Sequence, residues 1–308
     1  MGFAYQFGGL RLESDFLLPT LRAADSADGL VVVQLSWMVG TSPPSTGRLF
    51  GWGQRFGLSL CEAGADWLFA AEGRGSILVA RDGRRVCCYA DGPPSAPLLE
   101  ALVRRVLPRV AILHGGVAFH AAAAARAGGC LLLTGLSGAG KSTLGAALER
   151  DHGWALLSDD ASIIAPEQPA VWPAARGAYL LPDSLEGLSI NDRIDSESAS
   201  LAGKMWLPAA RSDGARLPLA GLVFLNRVAK GEPPRLRPVD GFSALARATP
   251  QLIRFNPSDR KGCGALFRAL GRALGQVAHF QLDYPADYQA LPAVATELEG
   301  AFAWAEAA

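Results

Sequence analysis

The chain has 308 residues, half of them hydrophobic and 19 % charged, which is enough to bury a large core and suits about two domains or one large α/β unit. Gly and Pro together make up about 18 % of the sequence, below the low-complexity range, so collagen-like and disordered chains are excluded. Lys+Arg and Asp+Glu both total 29, so no net field is available to hold nucleic acid or an anionic bilayer. The N-terminus has no basic stretch leading into an apolar h-region, Gln6 stands where a myristoylation signal needs Ser or Thr, and no run of about 20 apolar residues occurs. The sequence therefore reads as a soluble cytoplasmic protein with neither nucleic acid nor membrane as partner. Cys61, Cys87, Cys88, Cys130 and Cys263 are odd in number and lack metal-binding spacing, so they read as buried small hydrophobes.

The first ninety residues read as β. Apolar runs at 3–12, 31–37, 67–70, 77–80 and 86–89 are separated by Gly, Pro, Ser and Asp, and Asp82-Gly83 sits between two of them as a hairpin turn. We read 1–95 as a small antiparallel domain, a candidate for substrate recognition, and the breaker-rich 91–97 as a linker. A helix is predicted over 98–107, stopping at Pro108. Residues 96–308 then alternate strands and helices: a strand over 117–125, a turn at 126–129, a buried strand over 130–134, a Gly-rich loop, a helix over 142–150 and a strand over 154–157. Further on, 190–216 is polar and less regular. Strands are expected at 219–225 and 277–282, and helices at 242–245, 264–274 and 291–302.

Residues 135–142, GLSGAGKS, fill every fixed position of GxxxxGK[ST]. Glycines let consecutive N–H groups curl inward toward phosphate oxygens, and the following helix aims its positive end at the same point. Gly135, Ser137, Gly138, Ala139, Gly140, Lys141, Ser142 and Thr143 are thus the expected nucleotide-binding residues, with Lys141 reaching the β and γ phosphates and Ser142 offering a hard oxygen to Mg²⁺. The chain has only four lysines, so chance is a poor explanation for the match. Eighteen and nineteen residues after Lys141, Asp159 and Asp160 close an apolar strand, where a carboxylate can hold the metal or receive a hydroxyl proton. In a regular strand at most one of the two would face a metal on Ser142, and the other could reach an incoming hydroxyl if the backbone turns there. His120, before the loop, is weighed against an ordinary core histidine, His114 is given less weight, and Lys204 against a solvated surface lysine.

FHAAAA at 119–124, GLSGAGKST at 135–143 and GWALLSDDASII at 153–164 resemble the catalytic domain of HPr kinase/phosphorylase and its smaller serine-kinase relatives. The resemblance implies the P-loop sheet fold shared with phosphoenolpyruvate carboxykinase, carrying here a small β-rich N-terminal domain. It implies ATP or another nucleoside triphosphate, Mg²⁺ on Ser142 and Asp159, and catalytic roles for Asp160 as base, His120 and Lys141. The P-loop continues Ser-Thr where HPr kinases have Ser-Glu, and the later Arg/Gly-containing signature of phosphorolysis is missing, which argues against a reversible phosphorylase. The opening YQFGGLRLESDFLLP, 5–19, is similar to the start of kinases that accompany ribosomal peptide clusters, including lasso-peptide tailoring kinases. The expected reaction is transfer of a γ-phosphoryl group to a serine of a peptide or protein, with a homo-oligomer left open. The alternatives weighed beside it are a P-loop small-molecule kinase and a nucleotide-binding module without chemistry.

Overall fold

The computed structural model describes residues 2–24, 30–52, 57–174, 176–190, 203–210 and 214–307. The chain is a mixed α/β protein whose described residues form two nine-stranded sheets and a two-stranded hairpin. Parts of the polar stretch read above, 191–202 and 211–213, lie outside the described residues.

The strands between Phe3 and Ala90 form the first sheet, which is mixed rather than antiparallel. Val31–Val39 runs parallel to both of its neighbours, Leu10–Ser14 and Arg85–Ala90. The apolar run at 3–12 is two strands, Phe3–Phe7 and Leu10–Ser14, folded at Gly8-Gly9. Both glycines have positive φ, +56° and +85°, as a two-residue hairpin turn requires. The turn also docks onto the second sheet. A Cβ on Gly8 would lie 2.5 Å from Ile163 Cγ1, and one on Gly9 would lie 3.1 Å from the Trp172 ring. The predicted turn at Asp82-Gly83 does join two antiparallel strands, Gly75–Val79 and Arg85–Ala90. Gly47–Gly51 and Leu58–Ala63 are strands that the apolar patterning did not reveal.

The helix after the first sheet does not stop at Pro108. Ala96–Ala101 leads through one π-helical stretch, Leu102–Val106, directly into Leu107–Leu113. Proline lacks an N–H and its ring collides with the carbonyl four residues back, here that of Arg104. Widening the preceding turn removes the need for that bond, which is how a helix absorbs a proline without breaking. Leu98, Leu102, Val106 and Val110 are fully buried and pack on Leu12, Leu60, Phe69 and Ile77 of the first sheet.

The second sheet has helices on both faces. Lys141–Asp151 and Leu291–Ala307 lie on one side, packed around Leu144, Leu148 and Leu298, while Gly241–Ala248 and Arg260–Leu274 lie on the other around Ala244, Leu266 and Leu270. Its centre is Gly129–Thr134, which runs parallel to Leu217–Val228 and antiparallel to Ala121–Arg126. Ala155–Ser158 is antiparallel to Ala121–Arg126 in turn, and so runs in the same direction as Gly129–Thr134 one place removed. This corrects the expectation of a single strand over 117–125: the run breaks at His120 into Val117–Phe119, paired with Ser162–Ala165, and Ala121–Arg126. No helix among the described residues is long and apolar enough to cross a membrane. All five cysteines are free. Cys61, Cys88 and Cys130 are buried as expected, but Cys87 and Cys263 are only partly so.

Candidate active site

The strand directions bring three stretches to one edge of the second sheet. Gly129–Thr134 ends there in the Gly-rich loop, and Ala155–Ser158 ends there in the acid pair. The antiparallel strand between them begins there, just after His120. Thr134 Oγ1 donates to the His120 carbonyl at 3.2 Å, tying the start of one strand to the end of the next.

Gly140 has φ +91° and leads into the helix at Lys141. A Cβ there would lie 2.4 Å from Arg227 Nη2 and 2.6 Å from Tyr284 Oη, so both the backbone conformation and the space call for glycine. Tyr284 is buried, and its hydroxyl donates to the Ala139 carbonyl. Arg227 lies 4.2 Å over the Tyr284 ring and donates to the Pro285 carbonyl at 2.9 Å. The Lys141 ammonium donates to the carbonyls of Gly135 and Leu136 at 2.9 and 3.1 Å, folded back onto its own loop. Burial lowers the Lys141 pKa and Lys204 adds to that effect, while Asp160 and Asp159 oppose it.

The acids sit on a tight turn. Ser158 and Ser162 hydroxyls meet at 2.6 Å across its base, and the Ala161 N–H donates to the Asp159 carbonyl at 2.8 Å. Asp160, at its apex, is a non-glycine residue with φ +67°, a conformation that costs free energy and is retained where surrounding contacts impose it. The two carboxylates meet different surroundings. Asp160 Oδ2 accepts from Arg104 Nε at 2.9 Å and lies 3.7 Å from Arg105, and its Oδ1 is 3.3 Å from His120 Nδ1. Burial disfavours its charge, yet Arg104, Arg105 and His120 together hold it well below the usual carboxylate range. Asp159 Oδ2 accepts the Tyr179 N–H at 3.1 Å, while its buried Oδ1 has no protein partner. Burial, and then the neighbouring Asp160 charge, push its pKa up against the pull of Lys204, Ser142 and the Tyr179 N–H.

His120 Nδ1 lies 2.8 Å from the Asp160 carbonyl, a contact that suits the Nδ1–H tautomer. Burial lowers its pKa, and Lys141 and Arg105 add to that effect, while the Asp160 carboxylate and carbonyl oppose it. His114 is elsewhere, with Nε2 at 3.2 Å from the Gly83 carbonyl of the first sheet. Lys204 precedes the strand Met205–Pro208 of the hairpin and acts electrostatically on both Asp159 and Lys141.

The structure adds residues that the sequence reading missed. Glu100, Arg104 and Arg105 come from the helix of the first sheet, and Tyr179 from the hairpin strand Gly177–Leu180. The only trace in sequence is the four-residue spacing of Glu100 and Arg104 on a predicted helix. A cavity beside Asp159 is walled by Phe7, Thr20, Tyr179 and Trp206, so the first sheet contributes to the surroundings of the acids. A second hollow beyond the loop is lined by Gly140, Thr143, Arg227, Tyr284 and Tyr288.

An orphaned buried carboxylate oxygen beside a serine hydroxyl is a donor set that fits Mg²⁺, a hard cation that takes one or two protein oxygens and completes its shell with water and phosphate. No cluster of three or more His, Cys, Asp and Glu side chains that could cage a metal occurs among the described residues.

Comparison with solved structures aligns the chain with the HPr(Ser) kinase/phosphatase from Coxiella burnetii, with 15 % identity and a TM-score of 0.27, over 61 % of this chain and 98 % of that one. A likeness of that size carries no weight for function. No protein-family model matches the chain, and no curated protein matches it.

Proposed function

We propose that the chain is a kinase that uses a magnesium nucleoside triphosphate, ATP in the first instance, to phosphorylate a serine hydroxyl of a peptide or protein. The observation that supports this most is the meeting of a complete phosphate loop, His120 and the acid pair at one sheet edge. Phosphoryl transfer needs positioning and charge stabilisation more than covalent chemistry, and these residues supply both. In this reading the loop amides from Gly135 to Thr143 hold the triphosphate and Lys141 turns from its carbonyl partners onto the β and γ phosphates. Ser142 and Asp159 would hold Mg²⁺, which would supply positive charge to offset that of the phosphates. The hollow by Thr143 and Tyr288 receives the nucleoside.

The acceptor oxygen then bonds to the γ phosphorus as the bond to the bridging oxygen breaks. The hydroxyl proton passes to Asp160, with His120 beside it, and the nucleoside diphosphate leaves. The first sheet, which reaches the cavity beside Asp159 through Phe7 and Thr20, is where a peptide would be recognised. A precursor of a ribosomal peptide of the lasso type is the first substrate to try.

A second reading exchanges the acids. Asp160 is already engaged by two arginines, whereas Asp159 has an unpartnered oxygen and a raised pKa, so Asp159 would be the base and Asp160 its fixed neighbour. Asp160→Asn and Asp159→Asn, each assayed for nucleotide binding by calorimetry and for phosphate gain on serine peptides by intact mass, separate the readings. Loss of transfer with retained magnesium-dependent binding marks the base, and loss of the magnesium dependence marks the metal ligand. A wild-type protein that gives no heat with magnesium nucleotides overturns the kinase reading.

A further inference from the structure

Arg104 is 8 % exposed and comes from a helix that belongs to the core of the first sheet, yet its guanidinium ends among the acids of the second. It sits in the π-helical stretch ahead of Pro108, a distortion that frequently marks functional positions. Three contacts fix it. Nε donates to Asp160 Oδ2 at 2.9 Å, Nη1 pairs with Glu100 one turn back, and the planar group lies 4.5 Å over the Tyr179 ring. The Tyr179 N–H in turn donates to Asp159. One side chain therefore touches the carboxylate of one acid and the residue that holds the other.

Burying a guanidinium and two carboxylates is expensive, and an apolar cluster of similar volume would stabilise a fold at least as well. What the network does achieve is geometric. Two adjacent like charges would repel and share any nearby cation. With Arg104 on Asp160 and the Tyr179 N–H on Asp159, each carboxylate is tied to a different partner, Asp160 at its left-handed φ of +67° and Asp159 with its Oδ1 unpartnered.

We propose that Arg104, supported by Glu100 and by the face of Tyr179, is a positioning residue that orients both acids of the pair and thereby couples the helix of the first sheet to the reacting centre. This rests on the kinase reading for its kinetic consequence only, because the geometry can also be read without turnover. The test uses the full chain with Arg104→Ala and Arg104→Lys. Misplacing a reacting group by about 1 Å costs on the order of 100-fold in rate. The expected result for Arg104→Ala is a fall of about that size in kcat for phosphate transfer, with the Kd for magnesium nucleotide changed by less than about threefold, and partial return of kcat on adding guanidinium or methylguanidinium. Arg104→Lys keeps the charge without the fork and should recover only part of the rate. In parallel, the His120 ring nitrogens, resolved by ¹⁵N NMR, should shift in Arg104→Ala as Asp160 turns away, and shift back with added guanidinium.

A folded Arg104→Ala protein with wild-type kcat and unchanged His120 signals overturns the proposal. So does a parallel loss of transfer and nucleotide binding without guanidinium rescue, which marks a purely structural residue. If Arg104→Ala does not fold, Arg104→Lys carries the same comparison. A wild-type chain that transfers no phosphate while His120 responds to Arg104 overturns the kinase reading and leaves the clamp standing.

Discussion

Asp160 combines a left-handed backbone with a buried, ion-paired side chain, and the two features have opposite consequences for substitution. Asparagine tolerates φ > 0 at least as well as aspartate and can still accept from Arg104 Nε, but it removes one of the two carboxylates, Asp160 and Glu100, that the guanidinium pairs with. Breaking a buried pair outright costs about 3–5 kcal/mol, and the retained hydrogen bond should keep Asp160→Asn below that range. We expect a clearly lower denaturation midpoint together with a nearly complete loss of transfer, checked by urea melts beside the mass assay. At Lys141 the reasoning differs, because its present partners are carbonyls of its own loop and removing the ammonium leaves no buried charge unmatched. Lys141→Ala should therefore fold normally and bind magnesium nucleotide about 10- to 100-fold more weakly, the range of one charged hydrogen bond at about 1.5–3 kcal/mol. Calorimetry checks it. Gly140→Ala meets both a left-handed φ and the Arg227 and Tyr284 side chains, so it should lose at least about 1–2 kcal/mol of stability as well as nucleotide affinity.

Among the elements, the helices show how far patterning reaches. Lys141–Asp151 is found within a residue of its expected ends because a glycine loop and a buried strand frame it. Arg260–Leu274 starts four residues earlier than apolar spacing suggests, since Asp259 caps it by accepting from the N–H groups of Lys261 and Gly262. Asp259→Ala should cost about 1 kcal/mol and leave phosphate transfer unchanged, a useful control measured by the same urea melts. The misreading at Pro108 has the opposite origin. Proline is a helix terminator by default, and only the packing of Leu102, Val106 and Val110 against the first sheet makes a widened turn preferable to a break. The residues of the acid network that come from this helix were illegible for the same reason. Spacing can place Glu100 and Arg104 on one helix face, but nothing local says which sheet edge that face meets.

At the scale of the whole molecule, the phosphate loop and the acid pair were readable because their chemistry is written in consecutive residues. Their convergence depends on pairings between distant strands. The break at His120, the sharing of Leu217–Val228 among three partners and the parallel strands of the first sheet are all long-range facts. The pH dependence of stability is likewise a sum over distant groups. Burial lowers the pKa of His120 and of His279, so the native state resists protonating them while the unfolded chain does so around the ordinary value of 6.5. Stability should then be fully present above that value and decline as pH falls below it. On the alkaline side, burial raises the thiols of Cys88 and Cys130 far above their ordinary value of 9.0. The unfolded chain releases those protons first, so stability declines again as pH rises through about 9. Chemical denaturation from pH 5 to 10 should show a maximum between those two limits.

The Gly8-Gly9 turn, whose tip rests on Ile163 and Trp172, gives the protein a mechanical linkage. Ile163 belongs to the strand that leaves the acid turn at Ser162, so the hairpin tip bears on a residue three positions from Asp160. A substitution that pushes the opening hairpin off Ile163, such as Gly8→Ala, is therefore expected to disturb the acid turn without touching the phosphate loop.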